Sequence, residues 1–101
     1  MRFNKHIFIC TNQKTGDKPC CGEERGMAIV KEFKRQISER GLKGTVRAQR
    51  SGCLDACDFG PSLVIYPEGT YYGHVTVNDV TRIIDEHVLG NKVIEELELK
   101  F

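Results

Sequence analysis

The sequence predicts an α/β fold, a central mixed four-stranded sheet with two main helices in the element order β-α-β-β-β-α. Three features lead to it. Short runs rich in β-branched and aromatic residues at 6–10, 62–66 and 71–75 read as strands. Apolar residues recur at helical spacing over 26–40 and 76–90. The first strand-helix-strand unit implies a parallel pair through a right-handed crossover, whereas the turn near 67–70 joins the last two strands as a hairpin.

The first strand is His6-Ile7-Phe8-Ile9-Cys10, ended by a polar loop from Thr11 to Pro19. The first helix is expected from Gly26 to Arg40, because Met27, Val30, Phe33 and Ile37 share one face and Gly41 follows as a stop. Thr45-Val46-Arg47-Ala48-Gln49 alternates polar and small apolar residues and reads as a second strand ending near Arg50. Ser62-Leu63-Val64-Ile65-Tyr66 is a continuous apolar strand, Pro67-Glu68-Gly69-Thr70 supplies the turn, and the return strand runs from Tyr71 to Val75. Alternation puts Tyr71 and Tyr72 on opposite faces, one of them in the core. Thr76 with Asp79 resembles a capping box, after which Val77, Val80, Ile84 and Val88 line one helical face until Gly90. The last residues fit two periods: Leu97, Leu99 and Phe101 alternate as in a strand, while Ile94, Leu97 and Phe101 fit a helix.

Hydrophobic residues make up 40% of the 101 positions and charged residues 29%, which suits one modest core and is unlike a disordered chain. No repeat, composition shift or linker divides the sequence, so a single domain over residues 1–101 is expected. The formal net charge is +1 with both signs interspersed, without the basic stripe that nucleic-acid binding requires. The apolar run after His6 is too short for a signal-peptide core or a membrane span, so the expected setting is cytoplasmic, with no membrane partner.

Five cysteines in such a chain point to metal binding or redox chemistry more than to structural disulfides. Cys10 ends the first strand, Cys20 and Cys21 precede the first helix, and Cys53 and Cys57 lie between the second and third strands. Loops leaving the carboxyl ends of parallel strands share one edge of the sheet, so all five sulfurs can converge there. Four thiolates bind either Zn²⁺ or two bridged irons. Structural zinc sites usually take each ligand pair from a tight turn, and only Cys53-Leu54-Asp55-Ala56-Cys57 has that compactness.

These segments resemble the thioredoxin-like [2Fe–2S] ferredoxins, which share their fold with the small iron–sulfur subunit of bacterial respiratory NADH dehydrogenase. The resemblance spans nearly the whole chain. It rests on His6-Ile7-Phe8-Ile9-Cys10-Thr11, Cys21-Gly22 before the first helix, Gly52-Cys53-Leu54-Asp55-Ala56-Cys57, the segment from Gly60 to Gly69, and Tyr71-Tyr72-Gly73, in that order and spacing. It implies a thioredoxin-like fold and one [2Fe–2S] cluster held by Cys10, Cys21, Cys53 and Cys57. Cys21 is implied by the Cys-Gly step it makes with Gly22, and the adjacent Cys20 stands as the alternative second ligand. It also implies a one-electron carrier that serves redox partner proteins, performs no chemistry on a small-molecule substrate, and forms a homodimer. Leu97, Leu99 and Phe101 can contribute to that dimer unless they pack within their own chain.

Plainer readings stand beside each of these. Taken alone, Cys10 is a small buried hydrophobe at a strand end. Cys53 and Cys57 can be a redox dithiol, although that motif is Cys-x-x-Cys and precedes a helix, whereas here three residues intervene ahead of a strand. Gly52 and Gly60 bracket the pair, either bringing N–H groups near sulfur or simply turning the chain. His6, His74 and His87 fall outside the cysteine loops and read as structural, His87 through the dipole at a helix C-terminus, which argues against a Rieske-type centre. Asp55, Asp58, Glu23 and Glu24 are matched by Lys18, Arg25, Arg47 and Arg50, so no partner polarity follows. The rival functions are an iron–sulfur module of a larger flavin or hydrogenase complex, a Cys₄ zinc interaction domain, and a thiol–disulfide oxidoreductase.

Overall fold

The β-branched run near the start forms β1 (Lys5–Cys10), with Ile7 and Ile9 fully buried and His6 and Phe8 half-buried, the alternation of a strand with one covered face. The computed structural model describes residues 5–11, 23–51 and 61–99. After β1 come α1 (Glu23–Glu39), β2 (Val46–Ser51), β3 (Leu63–Tyr66), β4 (Thr70–Tyr72) and α2 (Asp79–Arg82), the expected element order. The sheet order is β2-β1-β3-β4. β1 and β2 are parallel, with Cys10 opposite Ser51, while β3 runs antiparallel to both β1 and β4, with Leu63 between Ile9 and Tyr72. The sheet is therefore mixed, and the β3–β4 turn contains a cis peptide bond between Tyr66 and Pro67.

Both helices cover one face of the sheet. Gln36 Nε2 donates to Thr81 Oγ1 at 2.8 Å and Arg40 pairs with Asp85, which fastens α1 beside α2. Between helices and sheet lie Ile7 and Ile9, Val46, Leu63 and Ile65, Phe33 and Ile37, Val80 and Ile84, all buried. Each such side chain contributes about 1.5–3 kcal/mol on burial, so this layer dominates stability.

α1 starts three residues before the expected Gly26. Glu23, Glu24 and Arg25 are residue types with good intrinsic helix propensity. Its end is as expected. Gly41 has φ +69°, its N–H donates to the Ser38 carbonyl at 3.2 Å, and Leu42 N–H donates to the Ile37 carbonyl at 2.9 Å. This is a Schellman motif, completed by Leu42 packing against the core.

α2 differs more. Thr76 N–H and Oγ1 both donate to Asp79 Oδ2, at 2.8 and 3.0 Å, but the helix begins only at Asp79. Val77 is therefore 42% exposed instead of lining the inner face. Over Ile83–Val88 the helix widens to π-helical winding, seen in the 2.9 Å bond from Leu89 N–H to the Ile84 carbonyl. That winding turns Ile83, Ile84, His87 and Val88 inward together. The return strand is also shorter than expected, ending at Tyr72.

The tail resolves toward the strand period. Gly73 N–H donates to the Leu97 carbonyl at 2.9 Å and Leu99 N–H to the Tyr71 carbonyl at 2.8 Å, so residues 97–99 run along the outer edge of β4. Ile94 is buried and Leu97 packs against the core of its own chain, while Phe101 lies outside the described residues.

Candidate metal centre at the ends of β1 and β2

Parallel pairing brings Cys10, at the end of β1, level with Ser51, at the end of β2. The antiparallel strand β3 starts at this same edge. Cys10 N–H donates to the Ser62 carbonyl at 3.0 Å, and Thr11 N–H and Oγ1 donate to the Ser51 carbonyl at 3.2 and 3.4 Å. Pro61 is fixed beside them by the 3.0 Å bond that its carbonyl accepts from Val75 N–H. The first turn of α1 closes the edge: a Cβ on Gly26 would stand 2.4 Å from the Cys10 carbonyl oxygen and 2.9 Å from Thr11 Cα, so only glycine allows this approach.

The Cys10 thiol is fully buried at this edge. Cys20, Cys21, Cys53 and Cys57 lie outside the described residues, as do Gly52, Asp55, Asp58, Gly60 and the side chains of Glu23 and Glu24. What the structure brings together is therefore Cys10 and the chain ends flanking the others. Cys21 stands two positions before α1, Cys53 two after β2, and Cys57 four before Pro61.

The first turn of α1 stands at this same edge, and the first backbone N–H groups of a helix have no partner within it and carry the positive end of its dipole. A buried thiol at such a place, with four more cysteines in the flanking segments, matches the donor set that holds a [2Fe–2S] cluster. Among the described residues no group of three His, Cys, Asp or Glu side chains could by itself hold a metal ion.

The histidines are engaged elsewhere. His6 shares a 3.1 Å hydrogen bond with Gln49 and stacks on Phe8 at 4.2 Å. His74 is exposed with φ 52°. His87 was expected to answer the helix dipole, but it is 1% exposed and sits in a polar chain through the core. The Tyr72 hydroxyl accepts from Ile94 N–H at 3.0 Å and donates to His87 Nδ1 at 2.5 Å; His87 Nε2–H donates to Glu68 Oε2, and Lys5 Nζ donates to Glu68 Oε1 at 2.7 Å. Burial pushes the Glu68 carboxyl up, but the hydrogen bonds from Lys5 and His87 outweigh it and hold the group below the usual carboxylate range. Burial also raises the Tyr72 hydroxyl. The sequence signal for this inward histidine was its place three and four positions after Ile84 and Ile83, among residues that all turn to the core.

Residues 2–99 match the family described as sucrase/ferredoxin-like. A 2Fe-2S ferredoxin of Clostridium pasteurianum is 34% identical over 93% of this chain and 94% of its own length. A 2Fe-2S ferredoxin of Aquifex aeolicus is 31% identical over 92% and 86%. Among solved structures, a thioredoxin-like [2Fe-2S] ferredoxin from Aquifex aeolicus superposes with a TM-score of 0.89 at 30% identity, covering 97% of this chain and 92% of that one. Variants of that Aquifex protein in which one or the other of two cysteines is replaced by serine, at positions four apart, are similar as well. On sequence and fold together, the chain belongs to the sucrase/ferredoxin-like family, with the thioredoxin-like [2Fe–2S] ferredoxins as its relatives.

Proposed function

We propose that this chain is a single-domain, one-electron carrier that holds one [2Fe–2S] cluster on Cys10, Cys21, Cys53 and Cys57. The observation that carries the reading is the meeting of buried Cys10 with the end of β2, the start of β3 and the first turn of α1 at one edge. Cys53 and Cys57 are four positions apart, the spacing of the two cysteines exchanged in the Aquifex variants. When bound, the cluster supplies one reversible electron shared between its irons. The chain supplies the rest. Burial of Cys10 keeps water from its sulfur, Gly26 lets α1 close over the strand ends, and the helix N-terminus offsets the negative charge of the thiolates. Such a protein passes electrons to redox partners and transforms no substrate. Persistent thiolates require a reducing compartment, which is the basis for placing it in the cytoplasm, and the family likeness is the basis for a homodimer.

Cys20→Ala, Cys21→Ala and the double variant test the ligand set, each scored by iron and acid-labile sulfide per chain. Cys20→Ala should keep the full content and the visible spectrum, and Cys21→Ala should lose most of both. The reverse pattern would make Cys20 the ligand. Full cluster content in the double variant would remove this segment from the site.

A further inference from the structure

β2 is an outer strand of the sheet, and it is open where β4 is covered. Odd-numbered residues of β1 bond to β2 and even-numbered ones to β3, as the bonds Thr11 N–H to Ser51 and Cys10 N–H to Ser62 show. In this parallel register the N–H and C=O groups of Ala48 and Arg50 point away from β1. Val46 N–H is already taken by the Leu42 carbonyl. At the opposite side of the sheet, residues 97–99 lie along β4. Among the described residues nothing pairs with the outward N–H and C=O groups of Ala48 and Arg50.

A groove of about 550 Å³ runs between this edge and α1. Ile37 and Ala48 form its floor, and exposed Lys31, Lys34, Lys43 and Arg47 stand on its walls. Arg35 also borders it but is bound to Glu32 and Glu39, and its guanidinium holds the Glu32 carboxyl down to about 2. No carboxylate of the described residues pairs with Lys31, Lys34 or Lys43. The charge is segregated along the chain as well: residues 23–51 hold eight basic and four acidic side chains, residues 79–99 two basic and six acidic.

We propose that this edge and groove dock an extended acidic segment of a partner protein, which adds to the sheet beside β2 and places alternate carboxylates against Lys31, Lys34 and Lys43. An extended chain finds backbone partners at Ala48 and Arg50, and β-addition of this kind draws affinity from main-chain bonds and selectivity from alternate side chains. Basic side chains on an exposed edge also repel a second copy of the same edge, so they admit an acidic strand and reject self-pairing. The inference does not depend on the cluster, whose visible spectrum is read separately.

The probe is a fluorescent seven-residue peptide that alternates glutamate with valine and threonine, titrated into the full-length protein by anisotropy. Binding should weaken at least tenfold between low and physiological salt, and at least tenfold again in Lys31→Glu/Lys34→Glu, with the visible spectrum and thermal midpoint of the variant unchanged. Hydrogen exchange at the Ala48 and Arg50 amides should slow in the complex. Affinity unchanged by the charge reversal, or protection appearing elsewhere, overturns the proposal. So does sedimentation of the protein alone as a salt-sensitive assembly dispersed by the same variant, because the groove would then hold the acidic half of a second copy.

Discussion

Gly26 sets how closely α1 approaches β1, because a single added carbon would overlap the Cys10 carbonyl. Gly26→Ala should cost about 1–3 kcal/mol, as overpacking does, and should lower iron content because it displaces the helix from the strand end that carries Cys10. Urea unfolding and iron assays on the same preparation check both effects. From the sequence this glycine was legible only as a helix boundary, since its meaning lies in a contact with Cys10 and Thr11, sixteen and fifteen positions earlier in the chain. The Tyr72–His87–Glu68–Lys5 chain was hidden for a related reason: its members come from β4, the π-helical segment that continues α2, a turn and β1, and only folding joins them. Tyr72→Phe leaves His87 Nδ1 and Ile94 N–H without their partner in the core and should cost about 1–3 kcal/mol by urea unfolding. Glu68 gives this chain a pH dependence of known sign. Its carboxyl is held below its usual value, so the stability it adds is present above the ordinary carboxylate range and is lost as pH falls through the folded value. Unfolding curves of the wild type and Glu68→Gln should therefore converge on acidification, and a constant gap between them would contradict the assignment.

At the scale of elements, the strands and α1 were legible because each carries its own period and punctuation. Ile7 and Ile9 alternate with half-buried neighbours, Val30, Phe33 and Ile37 share a helical face, and Gly41 ends the helix with a positive φ. Gly41→Ala should cost about 1–2 kcal/mol, the left-handed penalty for a residue with a Cβ, without changing cluster content. A thermal midpoint lower by several degrees with an unaltered visible spectrum is the expected outcome. α2 was legible only in part. The stripe put Val77 inside because it began the helix at Thr76, whereas the helix begins only at Asp79, and a count at 3.6 residues per turn cannot anticipate the π-helical winding that turns Ile83 and His87 inward as well. The tail was ambiguous because Leu97 and Phe101 satisfy both periods, and what decides is the outer edge of β4 on which residues 97–99 lie.

For the whole molecule, the topology organises what the cysteines can do. A parallel β1–β2 pair, a crossover helix whose first turn rests on Cys10, and an antiparallel β3 all present their ends at one edge. The order β-α-β-β-β-α, readable in the sequence, already implied that convergence, whereas the burial of Cys10 and the closeness of α1 needed the fold. Ligands in segments between different elements would also make the proposed cluster a clasp for this end of the domain. The most direct test of the central claim is iron and acid-labile sulfide per chain in anaerobically purified protein, with EPR spectra before and after one-electron reduction. The account predicts two irons and two sulfides, a red-brown protein silent as isolated and paramagnetic once reduced; a colourless protein holding one zinc per chain would contradict it.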